Sequence, residues 1–273
     1  MNFRVKVWPV PTWLDWRRLL GAGDWVATEH STGNLELETA LDRVGAADLA
    51  ARLRGVGIGG EMLEVEMVPP LNRKETRRAS TEEARRRRER SVGFSRSSVR
   101  LDDEGRFSLT PEALALELGE RARGLRVIDA CAGVGGNAIG FARAGCAVVA
   151  IDIDRDRLAM AKHNARIYGV SERIKFFCAD ACSIVSGHEA DLLFIDPPWG
   201  GDYDRSRVAL ADLDPAQQLI ENAAHVPMKW LKVPPPFDPA TLPGCRASAV
   251  FGCGRGDGRR VKFLLIELGS PKP

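Results

Sequence analysis

The sequence predicts an α/β protein, a mostly parallel sheet covered by helices on both faces, with a small α+β unit in front of it. Three observations point there. From about residue 107 onward, strand-length and helix-length apolar runs alternate along the chain. The first four of these strands are apolar almost throughout, as in a sheet buried on both faces. A glycine-rich turn follows the first, and an acid closes each of the next three, so the polar residues gather where such sheets bind ligands.

The N-terminal unit, residues 1–70, opens with Phe3, Val5 and Val7 alternating with Arg4 and Lys6, the period of a strand. Helices are expected near 12–20 and 37–54, the second carrying Leu37, Leu41, Val44, Leu49 and Leu53. A second strand-like run, Met62 to Val68, stops at Pro69-Pro70. Trp8, Trp13, Trp16 and Trp25 are expected to pack in this unit's core. Residues 71–98 form a basic linker or helix with little to bury. Ser80-Thr81-Glu82-Glu83 has the pattern of a capping box, and Glu82/Arg86 and Glu83/Arg87 have i,i+4 pair spacing. Residues 99–273 then hold the main domain. Helix 111–122 precedes strand 125–131, helix 136–144, strand 146–152, helix 155–168 and strands 173–179 and 190–196. Helix 214–224 and strands 226–233, 247–252 and 261–268 complete it.

Of 273 residues, 44% are hydrophobic and 28% charged, the balance of a globular protein. No apolar stretch approaches the ~20 residues of a membrane span, and the first residues lack a signal peptide's apolar run. A cytosolic location is expected, or a nuclear one in a eukaryote. Six cysteines show no C-x-x-C pair. Cys131, Cys146, Cys178 and Cys253 lie in or beside apolar runs and are expected as buried thiols, and no metal is expected. The net charge of +2 conceals a basic band. Residues 72–100 hold eleven Lys or Arg and four Glu, +7, against −5 for the rest. Such a band suits a solvated linker helix, or phosphate contacts through Arg85 to Arg88.

The chemistry sits at four strand ends. The first strand runs into Asp129-Ala130-Cys131-Ala132-Gly133-Val134-Gly135-Gly136-Asn137, where glycines allow a sharp turn and close approach of a ligand. This G-x-G-G spacing is not the full dinucleotide fingerprint, and no P-loop Lys follows. Asp152, about 20 residues on, is placed to accept from ribose hydroxyls, with Asp154 a candidate helix N-cap. Asp180 ends the third strand and is placed to accept from an adenine amine. The fourth ends in Asp196-Pro197-Pro198-Trp199-Gly200-Gly201. The prolines remove two N–H donors and stiffen the turn. Asp196 and the Pro197 carbonyl are then free to accept both hydrogens of a planar exocyclic amine, and Trp199 offers a face for a base.

Together these motifs, with Arg100 to Glu112 before them, resemble the trimethylguanosine synthase family of class I methyltransferases over about residues 92–268. The resemblance implies a Rossmann-like, mostly parallel seven-stranded sheet and methyl transfer from S-adenosylmethionine to guanine N2 in RNA, without a metal. It implies that Asp129 and the Gly133–Gly135 turn hold the donor's amino-acid end, with Asn137 also binding the cofactor and Thr110 near its carboxylate. Asp152 would then bind ribose, Ile153 flank the adenine, Asp180 bind its amine, Arg100 meet substrate phosphate and Trp199 stack on guanine. Cap enzymes typically carry Ser where this chain has Asp196. An acid or amide there is typical of enzymes acting on exocyclic amines of DNA, RNA or glutamine side chains. Two other readings accompany this one: the same machinery acting on a small molecule or protein amide, and a nucleic-acid-binding protein with a vestigial methyltransferase domain.

Overall fold

The structure is a computed structural model that describes residues 2–86, 88–199 and 203–270. The N-terminal unit runs β1 (Phe3–Pro11), α1 (Trp16–Leu20), β2 (Val26–Glu29), β3 (Asn34–Leu41), α2 (Arg43–Leu53), β4 (Gly57–Ile58), β5 (Glu61–Met62) and β6 (Glu64–Val68). Its antiparallel sheet has the order β2-β3-β1-β6. The long helix expected over 37–54 is therefore half strand. Leu35, Leu37, Thr39 and Leu41 alternate along β3, and only Arg43 onward is helical, capped by Asp42 accepting from Gly45 N–H. Val44, expected on an apolar helix face, is exposed. Trp16 is buried, whereas Trp8, Trp13 and Trp25 are half-buried.

Helix α3 (Arg73–Arg86) follows. Its capping box is Asn72 with Glu75, each side chain accepting from the other's amide at 2.9 and 3.0 Å. Ser80 to Glu83 therefore lies mid-helix. The helix is not polar all round in its surroundings: Glu83 is buried and pairs with Arg260, and Arg86 pairs with Asp48 of α2. Arg87, and with it the expected Glu83/Arg87 pair, lies outside the described residues.

The main domain runs α4 (Asp103–Ser108), α5 (Glu112–Arg121), β7 (Arg126–Asp129), α6 (Gly136–Arg143), β8 (Ala147–Asp152), α7 (Arg155–Ile167), β9 (Ile174–Cys178), α8 (Ala181–Ile184), β10 (Leu192–Ile195), α9 (Ala216–Asn222), β11 (Met228–Val233), β12 (Arg246–Phe251) and β13 (Val261–Gly269). Its seven strands have the order β12-β13-β11-β10-β7-β8-β9, with β13 antiparallel to both β12 and β11 and the run β11-β10-β7-β8-β9 parallel throughout. The chain passes from β7 outward to β9 and then crosses back to β10, so the topological switch point lies between β7 and β10.

Both sheet faces are dry, as the unbroken apolar runs require. Leu193 and Ile195 of β10 join one buried cluster, and Leu192 and Phe194 join the other. The first cluster is continuous with the N-terminal sheet, taking in Phe3, Val5, Val7, Leu37 and Leu49. The β4–β5 turn seals this junction, with Gly59 (φ +66°) donating to the Pro235 carbonyl at 3.0 Å. Of the cysteines expected to be buried, Cys146 is so and Cys131 half so. Cys178 and Cys253 are exposed, because one ends a strand and the other begins a turn at the sheet's carboxyl edge.

Candidate active site at the carboxyl edge of the sheet

Asp129 and Phe194 are register partners on β7 and β10, so Asp129 and Asp196, the residue after β10, meet at the switch point. Asp129 is fully buried, and among the described residues neither carboxyl oxygen has a hydrogen bond of good geometry, the Ala138 amide acting on it only weakly. Burial, then the charges of Asp196 and Asp152, push its carboxyl up to about 8, while the Ala138 amide and Lys232 pull the other way.

The glycine turn closes around these acids. Gly133 (φ +51°) donates its N–H to Asp152 Oδ2 at 2.6 Å, tying the turn to the end of β8. Gly135 (φ +91°) sits at the N-cap of α6, where a Cβ would press to 3.1 Å from the Ala161 Cα. Asp152 Oδ1 accepts from Asp154 N–H at 2.9 Å, and Asp154 caps α7 as expected. Ile153 stands 76% exposed beside them. Asp180 is exposed at the end of β9, but its oxygens already accept from Cys182 N–H and Ser183 Oγ, so it also serves as the cap of α8.

The segment before α5 packs against the turn. Asn164 brackets Arg100, accepting from its N–H at 2.7 Å and donating to its carbonyl at 2.9 Å, and also donates to the Val134 carbonyl at 3.0 Å. Arg157 holds Asp102 at 2.8 Å and also Glu104, fixing α4. Thr110 is thereby buried against the head of α6, and its Oγ1 has no partner among the described residues. The Arg100 side chain is exposed at the rim and makes no ion pair among the described residues.

Asp196 is held from two sides. Asn137 Nδ2 donates to its Oδ2 at 2.9 Å, and Lys232 Nζ donates to the same oxygen at 2.8 Å and to the Ser108 carbonyl at 3.0 Å. Oδ1 takes neither bond. Among the described residues no donor reaches the Pro197 carbonyl. Trp199 is half-buried, edge-on to Tyr203 at 5.6 Å, with the Lys232 ammonium 5.6 Å from its ring. Gly200 and Gly201 lie outside the described residues.

Every predicted site residue thus lies on the carboxyl edge of the sheet or its rim. Lys232 was missed. Its signal is a charge inside the otherwise apolar run Trp230-Leu231-Lys232-Val233, in a strand buried on both faces. Buried polar groups ordinarily find partners, so the orphaned Asp129 carboxyl, Thr110 Oγ1 and Asn137 Oδ1 mark a cup that a polar, amine-bearing ligand would complete.

Residues 125–221 match the family model described as RNA cap guanine-N2 methyltransferase. A trimethylguanosine synthase of Schizosaccharomyces pombe is 38% identical over 136 residues, which are 45% of this chain and 56% of that protein. The one from Saccharomyces cerevisiae is 32% identical over 123 residues, 41% of this chain and 39% of that protein. The chain thus spans roughly half or less of the curated relatives it matches. A crystal structure of a putative methyltransferase from Porphyromonas gingivalis W83 aligns at TM-score 0.54 and 16% identity, over 84% of this chain and 58% of that one. The main domain has the class I methyltransferase fold, and over its matched residues the chain resembles the trimethylguanosine synthase family.

Proposed function

We propose that the protein transfers a methyl group from S-adenosylmethionine to an exocyclic amine, the N2 of a guanine in RNA. The observation that carries this is Asp196: Asn137 and Lys232 hold one carboxyl oxygen, leaving Oδ1 and the carbonyl of the next residue, Pro197, as two acceptors that none of the described donors takes up. An amino group binding both hydrogens there turns its lone pair outward. The orphaned groups around Asp129 fit the donor's amino-acid end, Asp152 its ribose and the bare Ile153 its adenine. When bound, S-adenosylmethionine supplies an electrophilic methyl on a sulfonium that is already a good leaving group.

The chain's task is mainly orientation, which in well-aligned systems lowers barriers by roughly 7–11 kcal/mol. Because Lys232 neutralises Asp196, that carboxylate aims the amine more than it stabilises the charge growing on it. Trp199 stacks on the guanine, and the similarity to trimethylguanosine synthases supports RNA as the carrier of that base.

The test uses purified protein, labelled donor, capped RNA and uncapped structured RNA, with nucleoside mass spectrometry of the product. N2-methylguanosine in either RNA is the expected result, and the preference between them reports whether a cap is needed. Donor binding without transfer to any guanine would overturn the RNA reading and point to a small-molecule or protein amide.

A further inference from the structure

A second charged region lies on the same edge of the sheet. Strand β13 is antiparallel to β11, so the β12–β13 turn, residues 252–260, emerges at the edge that carries Asp196. Two strand spacings of about 4.8 Å separate β13 from β10, which sets the turn roughly 10 Å along that edge. Helix α1 docks against this turn. Arg18 donates to the carbonyls of Gly258 and Gly252 at 3.2 and 3.1 Å, and its guanidinium lies 4.8 Å from the Phe251 ring. Between them opens a cleft of about 510 Å³ lined by Trp16, Arg17, Gly21, Asp24, Trp25 and Arg259, among others.

Many arginines of the protein pair with carboxylates; Arg17, Arg18, Arg52 and Arg259 are among those with no salt bridge among the described residues. Arg18 and Arg52 spend their donors on backbone carbonyls, Arg52 on those of Leu19 and Leu20, which leaves their charge unmatched. Burial, together with the nearby Arg259, Arg260 and Arg86 charges, lowers Arg52 to about 10 against the pull of Asp48. Arg259 and Arg17 are exposed at the cleft. Gly21 (φ +85°) makes room for the first, since a Cβ there would lie 2.7 Å from its guanidinium nitrogen. The Arg17 guanidinium carbon lies 4.1 Å from the centroid of the Trp16 ring. Trp25 is half-buried, its indole N–H tied to the Gly21 carbonyl at 3.2 Å.

We propose that this cleft is a single-stranded RNA subsite, in which Arg17 and Arg259 bind backbone phosphate and the Arg17 and Trp25 faces stack a base, flanking the nucleotide held at Asp196. Unmatched guanidinium charge beside aromatic faces is the combination that recognises single strands without reading sequence. The inference rests on the reading of RNA as substrate, and it places part of the RNA footprint on the N-terminal unit.

The test measures fluorescence anisotropy of a labelled 20-nucleotide single-stranded RNA against the full chain across a salt series. The variant is Arg17→Glu with Arg259→Glu, with melting temperature and donor affinity as checks of the fold. If charge reversal disturbs the fold, Arg17→Gln with Arg259→Gln is measured instead. The expected result is a Kd raised about tenfold or more and a shallower salt dependence, by roughly 0.7 in the log–log slope for each lost contact. Unchanged affinity and slope would overturn the proposal, as would a wild-type protein that does not bind the RNA at low salt. Wild-type binding that the variant loses, without methyl transfer to the RNA, would overturn the substrate reading and leave the cleft standing.

Discussion

The carboxyl edge of the seven-stranded sheet carries two charged regions of opposite sign, built in opposite ways. At the switch point a fully buried Asp129 meets half-buried Asp152 and Asp196, and the latter two are already tied to the turn or to Lys232. At the β12–β13 turn Arg17, Arg18 and Arg259 face solvent, and backbone carbonyls hold Arg18 without cancelling its charge. Burial makes the first region discriminating, because a ligand must replace specific missing partners. Exposure makes the second general, suited to a polymer whose charge repeats. The contrast separates which small molecule is accepted from how a large one is held.

The sharpest way to break that contrast is at Asp196. Asp196→Ala should cut kcat on the order of 10²–10³-fold, the scale of losing one preorganised polar contact to the reacting group. Donor affinity by calorimetry should stay near wild type, and a matching loss there would make Asp196 part of the donor cup. Next is Lys232→Met. Lys232 and Asp196 are 4% and 14% exposed at the side chain, so the substitution strands a carboxylate in a site with little water. A loss of about 3 kcal/mol in urea unfolding is expected, with partial recovery in Asp196→Asn, Lys232→Met. A loss well under ~1 kcal/mol would mean that the pair behaves as a surface one.

Trp199→Ala should raise the acceptor KM about tenfold, within the ~1–3 kcal/mol of a stacked base, and an unaltered KM would remove stacking from the account. The remaining effect concerns pH. Asp129 keeps its proton in the folded protein up to about 8, whereas an unfolded chain releases it near ~3.9. Its contribution therefore costs stability progressively as pH rises from about 4 toward 8. Asp129→Asn should flatten that part of the donor-free melting curve. Parallel curves for both proteins would refute the burial argument. Glu112 has the opposite sign, held near about 2 by Tyr168, Ser95 and Arg143 despite its burial, so its stabilisation fades only as pH falls below the usual carboxylate range.

The main domain was legible because its signals are local: an apolar strand, a glycine or an acid at its end, and a helix after it. Errors arose where meaning depends on a distant partner. Leu37 and Leu41 fit a helical spacing as well as an alternating one, and only pairing with β1 makes them strand. Ser80 to Glu83 reads as a cap by pattern, but Asn72 and Glu75 stand at the real helix start. Lys232 looks like an intruder in an apolar run until Asp196, 36 residues earlier, is brought to it by strand pairing. The arginine cleft joins residues 16–25 to Arg259, a separation over which sequence spacing carries no signal.

The apolar cluster that crosses from the N-terminal sheet into the main one has a consequence for how the protein can be divided. Phe3, Val5, Leu37 and Leu49 share their burial with Ile128, Leu193 and Leu231, so separating the two parts would wet both. Heat should unfold them in a single calorimetric transition. A cut near residue 70 would leave the main domain with a bare greasy face, so the motif-bearing region is not a portable cassette.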